Sequence, residues 1–287
     1  MWIAFAVGSA LFAGATSILA KLGIKESDST VATAIRTVVV LIFSWLMVLV
    51  VGSGPTIKDV SGHTLLFLAL SGLATGGSWL CYFRALQIGP VNKVVPIDKS
   101  STALTILLAL IFLGEGVTPI KLLAVALILG GTYMMTIKRG AKKDETVEGK
   151  GWLVWAIFSA IFASLTAILG KIGISGIDST LGTAIRTIVV LIMAWIVVLV
   201  TGKAPLIKKT RGKELFFICL SGLATGGSWL CYYKALHDGP ASVVVPIDKL
   251  SILVTIAFGA IVFKERLDKL SALGLAMIVG GTLSMLL

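Results

Sequence analysis

Set against itself at an offset of 150 residues, the chain matches its own second half without a gap. SGLATGGSWLCY at 71–82 returns unchanged at 221–232, TAIRT at 33–37 returns at 183–187, and VVPIDK at 94–99 returns at 244–249. Roughly half of the aligned positions are identical, which low complexity does not produce. Whatever one copy folds into, the other must fold into as well.

The apolar runs limit what one copy can be. They cover about 2–22, 30–51, 64–87, 91–113 and 118–137, then about 152–172, 180–201, 214–237, 241–263 and 268–287. A run of about twenty residues crosses a hydrocarbon core of roughly 30 Å. With 57% hydrophobic and 14% charged residues and a mean hydropathy of +1.01, nothing is left over for a soluble domain. In lipid each run must satisfy its own backbone, so it is a helix. The period-2 polarity of barrel strands is absent. The sequence therefore predicts an all-α membrane protein with ten transmembrane helices, arranged as two five-helix repeats at 1–137 and 151–287. The charged segment KRGAKKDETVEGK, 138–150, reads as a flexible cytoplasmic linker. The first run starts at Trp2 with no basic stretch before it, and reads as a retained helix rather than a cleaved leader.

Five spans per copy is an odd number, so the second copy must enter the bilayer from the opposite side. Loop charge tests this independently. With the linker in the cytoplasm, seventeen of the 25 basic residues fall on the cytoplasmic side. Four fall on the other side (Lys58, Lys121, Lys171 and Lys234), and four lie within spans. The positive-inside rule then puts both termini outside and the two repeats in inverted topology. TGKAPLIKKTRGKEL in the second copy is densely basic where its partner VGSGPTIKDVSGHTL has one lysine, as a fused inverted pair should be.

A net charge of +11 would suggest nucleic acid in a soluble chain, but here the basic residues stand between apolar runs and face lipid headgroups. Cys81, Cys219 and Cys231 all lie in predicted spans, with no CxxC or Cys/His cluster, so neither a disulfide framework nor a metal site is expected. No Walker loop and no catalytic arrangement stands out, and His63 and His237 sit at loop edges. The chain reads as a non-enzyme that needs no cofactor.

The segments after the third helix carry a family pattern. Ala85-Leu86 and Gly89-Pro90 precede the fourth run, Pro96 lies within it, Gly114-Glu115 closes it, and Gly130-Gly131 lies in the fifth. The second copy repeats this with Ala235-Leu236, Gly239-Pro240, Pro246, Glu265 and Gly280-Gly281. On these residues the chain resembles the EamA domain of the drug/metabolite transporter superfamily, twice over and along nearly its whole length. The resemblance implies a ten-helix transporter with a central cavity between the halves, lined by the first four helices of each. It implies no particular substrate: family members move amino acids, sugar phosphates, nucleotide sugars, other metabolites or drugs. Better-known relatives place both termini in the cytoplasm, and the charge count here departs from that.

Within the spans, Arg36 and Arg186 of TAIRT are costly, about 2.5–3.5 kcal/mol each at a helix centre. They either hold a carboxylate or phosphate by a bidentate hydrogen bond or snorkel to the interface. Asp98-Lys99 and Asp248-Lys249 follow a kinking proline. Neighbours on a helix point about 100° apart and do not simply pair. Each aspartate serves either structurally, as Asp98 meeting Arg36 within one half, or in substrate or proton handling. Trp79 and Trp229 sit mid-helix, with Tyr82 and Tyr232 one turn on, as cavity wall or as core. Gly72-x-x-x-Gly76 and Gly222-x-x-x-Gly226 are close-packing faces. Glu115 and Glu265 read as capping or solvated residues, and Lys21 and Lys171 as interface anchors.

The substrate set expected from sequence is therefore Arg36, Arg186, Trp79, Trp229, Tyr82, Tyr232, Asp98, Asp248, Lys99 and Lys249. The expected function is secondary transport of a small anionic or zwitterionic metabolite, such as an amino acid, across the cytoplasmic membrane by alternating access. The rivals are a proton-coupled exporter of organic cations using Asp98 and Asp248, a lipid or lipid-linked-sugar flippase component, and a fusion built to study inverted repeats. The expected partners are the small-molecule substrate and membrane lipids, with no nucleic acid, and one chain suffices because it holds both repeats.

Overall fold

Asp28 and Asp178 start the second helix of each repeat in the same way. Each turns one carboxylate oxygen onto two backbone N–H groups of the first turn, Thr30 and Val31 at 2.9 and 3.2 Å, and Thr180 and Leu181 at 3.0 and 3.1 Å. A helix N-terminus leaves such donors unpaired, and a short acidic side chain satisfies them. The same helices stop at equivalent glycines, Gly52 and Gly202, at φ 75° and 68°, where a Cβ would be strained.

The computed structural model describes residues 1–23, 27–88, 97, 100–116, 118–136, 151–251, 253, 254, 257 and 269–285. Its α-helices, numbered here in chain order, are α1 Trp2–Gly23, α2 Ser29–Val51, α3 Gly62–Ile88, α4 Ser101–Phe112 and α5 Pro119–Thr136 in the first repeat. The second repeat holds α6 Gly151–Ile174, α7 Ser179–Val200, α8 Gly212–Asp238, α9 Ala241–Lys249 and α10 Lys269–Ser284. No strand occurs among the described residues. Asp98, Lys99, Pro96, Glu265 and the linker 138–150 lie outside them.

Among the described residues, six helices are long and apolar enough to cross a membrane: α1, α2 and α3 and their counterparts α6, α7 and α8. Around the outside stand exposed apolar side chains such as Ile42, Leu49, Ile111, Phe112 and Val200, each more than 60% exposed. Water does not tolerate such a belt, and lipid does. The chain is a multi-pass membrane protein.

The fourth run of the second repeat carries its proline inside a helix: α9 includes Pro246 and ends at Lys249. The Leu250 N–H turns back to the Ile247 carbonyl at 3.0 Å, and Ser100, at the equivalent position of the first repeat, bonds Ile97 in the same way at 3.1 Å. The proline only leaves the Ser242 carbonyl without its helical donor. One turn later the end of α9 tightens to i→i+3 bonding.

The core lies between the repeats. α1 packs on α8 and α3 on α6, while α2 meets α7 and α5 meets α10. The close approaches come in reciprocal pairs. A Cβ on Gly72 would stand 2.7 Å from Val189 Cβ, and one on Gly222 would stand 2.8 Å from Val39 Cβ. Gly76 faces Met193 as Gly226 faces Phe43, and Gly77 faces Phe162 as Gly227 faces Phe12. Exchanging the copies maps each contact onto its partner, which is the signature of an approximate two-fold axis. Small-residue faces are how apolar helices gain contact when the hydrophobic effect is weak between them. In α5 and α10 the second glycine of each pair meets the other helix's backbone, while Gly130 meets only the end of Met277. Gly131 lies against Gly274 and Ile278, and Gly281 against Ala124 and Ile128, so the two equivalent helices run antiparallel.

Candidate functional site

At the middle of this seam lies Arg186. It follows from a helix built to bring it there. Thr183 and Thr187 give their hydroxyl protons to the carbonyls one turn back, Ser179 and Thr183, both at 2.7 Å, which leaves the arginine as the free donor of that face. The side chain is 2% exposed. Its Nε donates to Ser71 Oγ at 3.0 Å and its Nη2 to Thr75 Oγ1 at 2.6 Å, both on α3 of the other repeat. The two hydroxyls are free to accept because their own protons go to backbone carbonyls, Ser71 to Thr166 at 2.8 Å and Thr75 to Ser71 at 3.0 Å. The guanidinium carbon lies 4.9 Å from the ring centres of both Trp229 and Tyr233 on α8, a cation–π contact with each ring. Nη1 is buried with no acceptor among the described residues.

Arg36 has the same sequence around it and a different setting. It opens onto a cavity of about 190 Å³ bordered by Ala20, Ser29, Thr33, Ile218 and Ser221. It makes no hydrogen bond or ion pair among the described residues. Ser221, equivalent to Ser71, gives its proton to its own helix at Ile218 O, 2.8 Å away, instead of across the seam.

Asp248 stands nearby in the fold with its carboxylate 16% exposed. Ser9 Oγ of α1 donates to it at 2.6 Å, and Ser9 is itself joined to Ser228 on α8. Neighbouring Asp248 and Lys249 were expected not to meet. Lys249 Nζ nevertheless reaches to 3.8 Å from Asp248 Oδ2, because its long stem folds back while its head stays 42% exposed. For the pair equivalent to Asp98 and Arg36, no ion pair within the half forms among the described residues. Asp248 and Arg186 each take partners from the opposite repeat instead.

The aromatic expectations divide. Trp229 is at the site, and Tyr232 stands edge-on to Tyr233, ring centres 5.2 Å apart. Trp79 packs against Val31, Ala34, Ala194 and Val198, and Tyr82 against Ala85 and Ala156. Sequence reasoning passed over Tyr233, Ser71 and Thr75. Tyr233 carried a signal, since the equivalent residue is Phe83, and a hydroxyl present in one copy alone marks a position where the copies have diverged.

At one end of the seam, Glu115 takes the capping role of its two readings, and Lys171 does more than anchor. Glu115 accepts from the N–H groups of Ala241 and Ser242 at 2.6 and 3.0 Å and so caps α9 of the other repeat. Lys171 Nζ donates to the carbonyls of Leu236 at 2.8 Å and Gly239, closing the C-terminus of α8. Trp2 packs on the same turn, where a Cβ on Gly239 would lie 2.6 Å from its ring.

Residues 1–137 and 150–287 each match the EamA-like transporter family. The chain belongs to that family. This EamA-like transporter is 42% identical over 134 residues to a protein of a Sinorhizobium species described as an uncharacterized transporter in the cobO 3′ region. The match takes 47% of this chain and 95% of that one, so the relative is about one repeat long. It is 22% identical over 204 residues to the uncharacterized transporter YxxF of Bacillus subtilis, covering 71% of this chain and 64% of the relative. A solved crystal structure, 16% identical, superimposes with a TM-score of 0.78 over 97% of this chain and 94% of its own, a likeness of fold. The fold, the two repeats and the family together identify a membrane transporter of the drug/metabolite transporter superfamily.

Proposed function

We propose that this EamA-like transporter is a secondary carrier for a small anionic or zwitterionic metabolite, working by alternating access as a single chain. One observation carries the reading: two arginines stand inside spans at the seam between repeats, and neither has a carboxylate within ion-pair distance among the described residues. A buried cation without a counter-charge is unfavourable unless an anion visits. Asp248, partly exposed and held by Ser9, offers the opposite charge that the amino group of a zwitterion needs. The same aspartate beside Tyr232 and Tyr233 supports a second reading, an exporter of organic cations.

Ten spans in inverted repeats make the mechanism possible. The antiparallel packing of α5 on α10 supports that arrangement. So do the loop contacts. Thr56, Asp59, Ser175, Asp178 and His237 border one hollow of about 490 Å³, Asp28 meets Lys203, and Glu115 meets Ala241. Each of these joins loops that the charge count assigns to the same side, with the linker in the cytoplasm and the termini outside.

The test is thermal stabilisation of the purified protein by a solute panel, beside the double variant Arg36→Ala/Arg186→Ala. Stabilisation by carboxylates or amino acids that disappears in the variant is the expected result. Stabilisation by organic cations that survives it would move the site to Asp248 and sink the anionic reading.

A further inference from the structure

We infer that the two equivalent arginines have divided roles: Arg36 meets the anionic group of the solute in the cavity beside it, and Arg186 is a positioning residue that holds α3, α7 and α8 together. The inference rests on the anionic-solute reading above and names which half of the site touches the solute.

Arg186 is engaged on every side but one. Two of its nitrogens are spent on Ser71 and Thr75, its guanidinium carbon lies 4.9 Å from the ring centres of both Trp229 and Tyr233, and it is 2% exposed. Its remaining nitrogen is buried, so a solute could reach it only by displacing the packing around it. Arg36 has the opposite character. It has donors without acceptors among the described residues, and it opens onto about 190 Å³ with hydroxyls of Ser29, Thr33 and Ser221 around it. Water occupies about 30 Å³ per molecule in the liquid, so the space takes a carboxylate or phosphate head with room for its near substituents. The planar guanidinium suits both head groups through paired hydrogen bonds.

The difference is written into the sequence. Gly170 faces the closed packing over Arg186, and a Cβ there would stand 2.8 Å from Tyr233 Cε1 and 3.2 Å from Ser71 Oγ. Only a glycine leaves room for that ring. The equivalent residue of the first repeat is Ala20, which lines the Arg36 cavity, and the equivalent of Tyr233 is Phe83. The first repeat therefore lacks both the glycine and the tyrosine that seal Arg186. A transient rearrangement of a symmetric pair would not require those two substitutions.

The experiment uses the full chain and compares wild type with Arg36→Lys, Arg186→Lys and the cavity-filling Ala20→Leu. Melting is followed in sodium phosphate, sodium acetate and sodium glutamate, each against sodium chloride at equal ionic strength. Wild type is expected to melt higher in at least one of the three anions. Arg36→Lys should weaken that response about tenfold in half-saturating concentration, since a point charge replaces a fork. Ala20→Leu should lose the response, with both variants melting near wild type in chloride. Arg186→Lys should melt lower in chloride and keep the response. A response lost in Arg186→Lys and kept in Arg36→Lys, or kept in full by Ala20→Leu, overturns the division of roles and leaves the anionic reading standing. No response of wild type to any of the three anions overturns both.

Discussion

Lys203 Nζ stands 2.9 Å from Asp28 Oδ2 and 3.0 Å from Thr30 Oγ1, so a loop of the second repeat grips the N-terminus of α2 in the first. The equivalent of Lys203 is Ser53, and Asp178 has no ion pair among the described residues. One end of the seam is thus tied by an ion pair that the other end lacks. Burial alone would raise the Asp28 carboxyl, but the hydrogen bond from Lys203, the N–H groups of Val31 and Thr30 and the lysine charge outweigh it and hold its pKa below the usual value.

That direction fixes a pH dependence. A carboxylate whose folded pKa is depressed stabilises fully above the unfolded value of about 4, and its contribution is lost as pH falls through the lower folded value. Asp28→Asn keeps a cap acceptor and should cost about 0.5 kcal/mol at pH 7, while Asp28→Ala loses cap and pair and should cost about 1–2 kcal/mol. Melting curves from pH 7 to pH 3 check this, and the wild-type advantage over Asp28→Asn should shrink towards the acid end. An advantage that grows there would show the ion pair to be unimportant.

Glu115, from across the seam, and Lys171, from within the second repeat, close neighbouring helix ends, and their loss should be felt as loss of caps. Glu115→Ala should destabilise by about 1–2 kcal/mol, and Glu115→Gln by less, because the amide oxygen still accepts one N–H. In a double-mutant cycle with Lys171→Met, the effects should fall short of additivity, since both residues hold the Gly239 turn. Full additivity would mean that the turn has two independent supports.

Gly170→Ala should destabilise by about 1–3 kcal/mol, because the new methyl collides with Tyr233 in a packed interior. The mirror change, Ala20→Gly, should cost only the helix propensity of about 1 kcal/mol. Equal costs from the two, measured by thermal melting, would contradict the asymmetric packing around the arginines.

Asp248→Asn should reduce uptake of a zwitterionic solute into proteoliposomes at least tenfold, about 1.4 kcal/mol or more of lost interaction, while melting changes little. Ser9→Ala, which removes the hydroxyl that aims the carboxylate, should weaken uptake less. Unchanged uptake in Asp248→Asn would remove the aspartate from the site.

The orientation is open to labelling. With Cys81, Cys219 and Cys231 replaced, a cysteine at Thr56 should react with an impermeant maleimide on intact cells, and one at Lys208 only after lysis. The reverse pattern would put the termini in the cytoplasm.

Much of the fold was legible in the sequence because spans are written in long apolar runs and caps in single residues. The run 180–201 became Ser179–Val200, and 64–87 became Gly62–Ile88, with ends set by Asp178 and by the polar turn around Ser61. The glycine faces at 72, 76, 222 and 226 packed as read. The site was legible in part. Arg186 and Trp229 came together, but their partners Ser71, Thr75 and Tyr233 sit on other helices, and helix periodicity carries no signal for contacts between helices. The same gap hid the partners of Glu115 and Lys171, which are backbone groups of the other repeat for Glu115 and of another helix in the same repeat for Lys171. Lys249 reaching Asp248 shows a related limit, since helix angle fixes where a stem starts and not where a four-carbon chain ends.

The reciprocal seam has a consequence for assembly. Gly72 needs Val189 and Gly222 needs Val39, so each half carries faces that only the other half covers. Covalent continuity then contributes local concentration rather than contacts. Two halves expressed as separate chains would still carry both faces of each of these glycine contacts.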